Sequence, residues 1–362
     1  MAKAKHGTPT SAAMTGILDL FKRQEKVGEV KETDRLDGKR CLVTGASSGL
    51  GKAVAMELAR RGGKVVLALR SGIPETGEEI KEKTGNPDVE MIRLDLADFS
   101  SVRRFCDEIK NRGIRFDRAV FNAGVVPGRA RRTADGYEEM FQVNYLGKFL
   151  LLNRLLADGS IPNTVFAGGG ESEAPAKSSV RDPARIVFIS SEVHRTPETV
   201  DFSDVGLFHD YAMKGSMQEY GYTKLLLTIF FKELSRRLSA PAETPNPCSG
   251  EGPDVSVFAL CPGPVNSRIA RDAPKVLQPF LRLVFSIFFK RPSKAAEPVV
   301  YFCCSPEAVG KTGMYLHLMT EKEAAPLTLD PENGRKLWEV SEGLVNGRRH
   351  SRSLHHELRN NN

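Results

Sequence analysis

Tyr220 and Lys224 stand one helical turn apart in Tyr220-Gly221-Tyr222-Thr223-Lys224, so their side chains project from one helix face. A free phenol titrates near pH ~10. An ammonium group beside it favours the phenolate and draws that value toward working pH, which makes the pair a candidate proton donor and acceptor. Tyr222 competes for the role, but positions two apart on a helix do not share a face, and Tyr220 is the expected partner of Lys224. The spacing alone is common on solvated helices. What gives it weight is its place downstream of Ile189-Ser190-Ser191, a serine pair closing a strand-like run. His194 follows that pair and reads as a loop histidine with its own hydrogen bonds.

A second chemical feature is Thr44-Gly45-Ala46-Ser47-Ser48-Gly49-Leu50-Gly51, which follows a strand-like run and opens a helical one. Its glycines are spaced G-x-x-x-G-x-G, so the chain can turn tightly and bring backbone N–H groups close to a pyrophosphate. The helix starting near Leu50 adds free N–H groups and a positive dipole end. Gly45, Ser47, Ser48, Gly49, Leu50 and Gly51 are therefore the expected cradle of a dinucleotide cofactor. The next strand ends in Leu69-Arg70-Ser71, with Arg70 where an acidic residue would hold the ribose hydroxyls of NAD(H). A guanidinium suits a 2′-phosphate through charge and its donor fork, which points to NADP(H) rather than NAD(H).

These residues need a scaffold, and the chain supplies a rhythm for one. Strand-like runs at Cys41–Thr44, Val65–Leu69, Glu90–Leu94, Ala119–Phe121, Ile186–Ser190 and Val255–Leu260 alternate with helical patterns. The helical patterns cover Lys52–Arg61, Ser101–Arg112, Tyr137–Leu156, Tyr222–Leu238 and Ala295–Cys304. The alternation predicts an α/β fold, a single Rossmann-type doubly wound parallel sheet with helices on both faces. Apolar strands with little alternation agree with burial on both sides. The predicted domain spans 38–345, with a polar and loosely docked arm at 1–37, insertions at 158–184 and 240–253, and a basic tail at 346–362.

The 362 residues are 40% hydrophobic and 27% charged, enough for one large core with a soluble surface. The net charge of +7 gathers at Arg129, Arg131 and Arg132 and in the tail around Arg348, Arg349 and Arg352. No nucleic-acid-binding module accompanies it, so a nucleic-acid partner is not expected. Cys41, Cys106, Cys248, Cys261, Cys303 and Cys304 show no Cys-x-x-Cys spacing, so neither a zinc site nor a disulfide framework is expected. With no secretory apolar core near the start and no apolar run of about 18 residues, the expected location is cytoplasmic.

Taken together, the motifs resemble the short-chain dehydrogenase/reductase family over roughly residues 38 to 345. Asn122-Ala123-Gly124 is similar to its Asn-Ala-Gly motif, although Phe121 stands where many members have a second Asn. Asp95-Leu96 matches the pair near the adenine, and Pro262-Gly263-Pro264-Val265-Asn266-Ser267 the segment near the nicotinamide, with Pro262, Gly263, Val265 and Ser267 as cofactor contacts. Asn144 matches the family's helix asparagine. The resemblance implies reversible hydride transfer between a carbonyl and an alcohol. Tyr220 would move the proton, Lys224 would assist it and hold the nicotinamide ribose, Ser191 would bind the substrate oxygen, and Asn144 would support a water relay to Lys224.

Ser191 and Tyr220 are 29 positions apart, longer than in many members. That spacing, His194, and Lys336-Leu337-Trp338-Glu339-Val340-Ser341 look like the retinol dehydrogenase and protochlorophyllide reductase branches. The expected substrate is therefore a small lipophilic carbonyl or alcohol: retinoid-, steroid- or aldehyde-like. The apolar run from Phe280 to Phe289, within 279–291, could be a substrate lid, a homodimer helix, or a peripheral membrane contact aided by Lys290 and Arg291. The alternative is an NADP(H)-binding regulatory or interaction protein that keeps the fold without turnover. Four intact candidate catalytic residues argue against it.

Overall fold

Leu42 and Val43 point to opposite faces of a strand, and both are fully buried. The same holds for Val66 and Leu67, and for Ala119 and Val120. Strands that are apolar on both sides need cover on both sides, which a parallel sheet between two helix layers supplies. The computed structural model describes residues 25–166, 182–239, 253–263 and 292–347 and has that architecture.

In chain order the main elements begin with β1 (Arg40–Thr44), α1 (Gly49–Arg60), β2 (Lys64–Leu69), α2 (Glu75–Thr84) and β3 (Val89–Arg93). Then come α3 (Phe99–Asn111), β4 (Arg118–Phe121), α4 (Gly147–Ala157), β5 (Ala184–Ile189) and α5 (Met213–Ser239). The last part holds β6 (Val255–Cys261), α6 (Pro292–Cys304), β7 (Tyr315–His317), β8 (Thr320–Glu321) and α7 (Pro331–Val345). They form one sheet in the order β3-β2-β1-β4-β5-β6-β7-β8. All pairings are parallel except β7 with β8. Residues of α1 and α6 pack with Val43, Leu67 and Val187 on one face. Residues of α3, α4, α5 and α7 pack with Leu42, Val66 and Phe188 on the other. The strand order reverses between β1 and β4, and the crevice outside their carboxyl ends is where such sheets bind ligands.

The structure departs from the sequence reading in instructive places. The helix expected over Tyr137–Leu156 runs unbroken from Glu139 to Ala157, as one α-helical turn at Glu139–Phe141, a π-helical segment at Gln142–Leu146, and then α4. Helix α5 begins at Met213 rather than Tyr222, because Ser216 Oγ donates to the Pro127 carbonyl at 2.7 Å and fixes a first stretch that has no apolar period. Residues 25–37 are not a loose arm. Val27 N donates to Met319 O at 2.8 Å, Arg61 reaches the carbonyls of Lys31 and Asp34 at 2.7 Å each, and Leu36 is buried in the core. Residues 167–181 and 240–252 of the two insertions, the run 279–291, and most of the tail lie outside the described residues. The five described cysteines are buried free thiols. No described helix is long and apolar enough to cross a membrane.

Two arrangements fix the frame around the sheet's carboxyl end. Helix α7 lies across α4 and α5, with Tyr145 and Ser341 joined through their hydroxyls at 2.6 Å and Trp338 edge-on to Phe149 at 5.3 Å. The second is a clamp on the 3-10 turn Glu192–Arg195, immediately after Ser191. Glu192 accepts from Tyr315 Oη at 3.0 Å, Lys322 Nζ at 2.7 Å and Arg195 Nε at 3.1 Å. Burial opposes charge on Glu192, but Arg195 and Lys322 prevail and hold its carboxyl down to about 2. His194 Nε2 accepts from the Ala325 backbone N–H at 3.0 Å, so its proton sits on Nδ1, which donates to Ser191 O at 2.7 Å.

Burial first, then Arg195, lower the His194 pKa to about 4. The folded state therefore holds this imidazole neutral, and its contribution to stability is complete above the ordinary value of 6.5 and lost as pH falls toward 4. Between those limits His194 should account for up to about 3 kcal/mol of lost stability. Chemical denaturation across that range should show a shallower fall in His194→Gln than in the parent; parallel curves would remove His194 as the cause.

Candidate active site

Ser191 follows β5, while Tyr220 and Lys224 lie on α5, and the fold brings the three together. The Ser191 hydroxyl stands close enough to the Tyr220 phenol to favour its phenolate. Lys224 Nζ lies 5.5 Å from the Tyr220 ring centroid and donates to the Ile189 carbonyl at 2.7 Å. Burial lowers the Lys224 pKa to about 8, against a small opposing pull from the nearby Cys261 thiol. The phenol does not behave as the spacing predicted. Burial drives the Tyr220 pKa above its ordinary value, and the neighbouring Ser191 hydroxyl only partly offsets this. Lys224 sits near the ring but faces a backbone carbonyl, and its own charge is weakened by the same loss of water. Tyr222 turns elsewhere: it packs against the core, and after burial the carboxylates of Asp204 and Glu219 raise its pKa.

Asn144 lies in the π-helical segment, a widened turn of a kind that recurs at functional sites. Its Oδ1 accepts from Val125 N at 2.8 Å, and its Nδ2 donates to Val125 O at 3.0 Å and Thr223 Oγ1 at 3.3 Å. The amide thereby ties the loop after β4 to the residue beside Lys224. One turn further on, Lys148 is wholly buried with no hydrogen-bond partner for its amine among the described residues. Burial, then repulsion from Lys224, lowers the Lys148 pKa well below the ordinary value, so Lys224 is the amine that keeps its proton. Sequence reasoning passed over Lys148. Its only signal is a charge set against the apolar run Phe149-Leu150-Leu151-Leu152.

The glycine-rich turn lies at the β1/β4 reversal. Gly45 has φ +69° and Gly49 φ +59°, both in the left-handed region. A Cβ on Gly45 would come within 2.7 Å of Ala123 Cα, and one on Gly51 would collide with Asn122 Nδ2. Asn122 Nδ2 donates to Thr44 O at 3.1 Å and Gly45 O at 3.2 Å, while Ala123 N donates to Thr44 Oγ1 at 3.1 Å. Gly124 follows beside Asn144, where a Cβ would stand 3.2 Å from Oδ1. Ser48 at the N-cap of α1 makes no side-chain capping bond, Ser47 is exposed and Leu50 is buried behind the turn. The N-terminus of α1 is therefore uncapped by side chains. Arg70, exposed beyond β2, has no hydrogen bond or ion pair among the described residues.

Asp95 Oδ1 accepts from Ala97 N at 2.9 Å and shapes the turn after β3, where Leu96 is buried against Gly147. Pro262 is buried after β6, and Gly263 has φ +76°. Val265 and Ser267 lie outside the described residues. A narrow glycine cradle, a helix N-terminus whose N-cap serine makes no capping bond, and an arginine one strand away with no partner among the described residues fit a phosphate-bearing dinucleotide.

The sequence pattern described as short chain dehydrogenase matches residues 39–161. Retinol dehydrogenase 14 of Mus musculus is 34% identical over 324 residues, covering 86% of each chain. Polyprenol dehydrogenase of Homo sapiens is 32% identical over 302 residues, covering 83% of each. Among solved structures, an uncharacterized protein from Mycobacterium paratuberculosis superposes with TM-score 0.61 at 25% identity, covering 88% of this chain and 98% of that one. The RhlG/NADP active-site complex of Pseudomonas aeruginosa shares the fold with TM-score 0.55 at 21% identity, covering 80% and 98%. Sequence and architecture agree, and the chain belongs to the short-chain dehydrogenase/reductase family of oxidoreductases, among its retinol dehydrogenase-like members.

Proposed function

We propose that this chain is an NADP(H)-dependent oxidoreductase that interconverts a lipophilic carbonyl and its alcohol, with Tyr220 as the acid–base group. The observation that carries the reading is the gathering of Ser191, Tyr220 and the buried Lys224, with Lys224 Nζ 5.5 Å from the Tyr220 ring, at the same carboxyl end of the sheet as the glycine cradle. A bound nicotinamide would supply or accept the hydride. In the reducing direction Tyr220, protonated at neutral pH because burial raises its pKa, gives its proton to the substrate oxygen. Ser191 donates to that oxygen and stabilises its developing charge. The Lys224 ammonium steadies the phenolate left behind, and Asn144 holds α5 against the loop after β4. In the oxidising direction the same groups run in reverse.

For the cofactor, Gly45, Ser47, Ser48, Gly49, Leu50 and Gly51 would hold the pyrophosphate, and Asn122, Ala123 and Gly124 would wall the cleft. Asp95 and Leu96 would flank the adenine, Pro262 and Gly263 the nicotinamide. Arg70, without a hydrogen bond or ion pair among the described residues, supports NADP(H) over NAD(H). The names of the relatives, retinol dehydrogenase 14 and polyprenol dehydrogenase, support a lipophilic substrate.

Removing the proton donor should be close to fatal. Tyr220→Phe should cut kcat for aldehyde reduction by about 100-fold or more, with NADPH still bound in a fluorescence titration. Turnover at the parent rate would overturn the assignment. Arg70→Asp should weaken NADPH by about 100-fold through a lost charge-assisted bond and a new repulsion, and NADH by far less. Equal losses for the two cofactors would remove the basis for preferring NADP(H). Because Lys224 is charged below about 8 and neutral above it, the reduction rate should fall as pH rises through that value. Any residual rate of Lys224→Arg should be flat there; an unchanged alkaline limb would assign it to another group.

A further inference from the structure

Met213, Met217, Tyr220 and Lys224 follow one another along α5 at steps of four, three and four residues, which sets them on one helix face. Exposure rises outward along that face. Lys224 is buried, Tyr220 is half-buried, and Met217 and Met213 are 43% and 53% exposed. The other large apolar side chains this open among the described residues, Ile73, Val165 and Leu329, are scattered over separate elements. Two methionines in line with a candidate catalytic tyrosine are a different pattern from such scattered exposure, which is ordinary on protein surfaces.

The loop after β4 forms the facing wall. Ser216 Oγ donates to Pro127 O at 2.7 Å, and Ala130 N donates to Tyr211 O at 3.0 Å, so the loop and the start of α5 are fixed to each other. The tip of Met213 reaches Gly128 so closely that a Cβ there would stand 2.7 Å from Cε. The stripe from Tyr220 to Met213 runs about 10 Å along the helix axis. It carries no charged side chain between its two ends.

We propose that Met213 and Met217 form a rail that holds the apolar tail of an elongated, flexible substrate while its carbonyl or alcohol oxygen sits at Tyr220. The assignment rests on the oxidoreductase reading above and adds a substrate shape to it. Methionine suits the task because its unbranched thioether adapts to a chain with many conformers, and a straight rail favours a linear alkyl or isoprenoid tail over a compact ring system. The contact is continuous with the reacting centre, since the tail leaves Tyr220 along the helix that carries it.

The test compares aldehydes that share a reacting group and differ in length. Purified full-length enzyme with NADPH is assayed on propanal, octanal and dodecanal, for the parent, for Met213→Ser with Met217→Ser, and for Met213→Leu with Met217→Leu. The parent should prefer dodecanal over propanal in kcat/KM. The serine pair should reduce that preference about tenfold through a higher KM for dodecanal, and the leucine pair should retain most of it. A preference unaltered by serine, or a parent indifferent to chain length, would overturn the rail. A parent that turns over none of the three nor any larger carbonyl would overturn the oxidoreductase reading itself, and the rail with it.

Discussion

An ammonium group taken out of water needs an oxygen to face, and the carbonyl of Ile189 provides one for Lys224 at 2.7 Å. That carbonyl is available because it belongs to the last residue of β5, where the ladder to its neighbours is running out. The contact draws α5 onto the carboxyl end of the sheet, which places Tyr220 over the strand end and beside Ser191. The same edge carries the glycine turn after β1 and the asparagine after β4. Once Lys224 is seated, the distance between the candidate proton donor and the cofactor cradle is set by strand spacing, which side-chain flexibility hardly alters.

The site shows two ways of handling buried charge. Lys224 keeps a hydrogen bond and a pKa of about 8, while Lys148, without a hydrogen-bond partner among the described residues, is driven further toward its neutral form. Two ammonium groups in one dry region cannot both stay charged at little cost. The opposite solution appears at Glu192, where burial is outweighed by Arg195 and Lys322 and the carboxylate remains ionised. One side of Ser191 is thus nearly dry and mobile in charge; the other is pinned by a charged network.

Much of this was legible in the chain because the informative residues are local. The glycines after β1, Asn122 after β4 and Ser191 after β5 each sit at the end of an apolar run, and the strand pattern orders them without any contact information. What escaped has physical reasons. Helix α2 carries charge on most of its surface and shows little apolar stripe. Met213 and Met217 precede the point where α5 acquires an apolar period, and Gly215 between them disguises the helix. Spacing placed Lys224 one turn from Tyr220, but only burial decides the phenol's protonation, and burial depends on everything packed above it. The distant partners of Glu192 and His194, Tyr315, Lys322 and Ala325, lie 123 to 131 positions away, beyond any local pattern.

The clamp on Ser191 draws on some of the last residues of the domain, for Tyr315, Lys322 and Ala325 are the groups that hold its turn. During synthesis the glycine turn, Ser191, Tyr220 and Lys224 all emerge before these anchors do. A nascent chain could therefore complete its nucleotide cleft long before the turn bearing its serine was secured. Competence for chemistry would arrive late and abruptly, when β7 docks beside β6, and a ribosome-stalled fragment ending before Tyr315 would lack the serine's restraint.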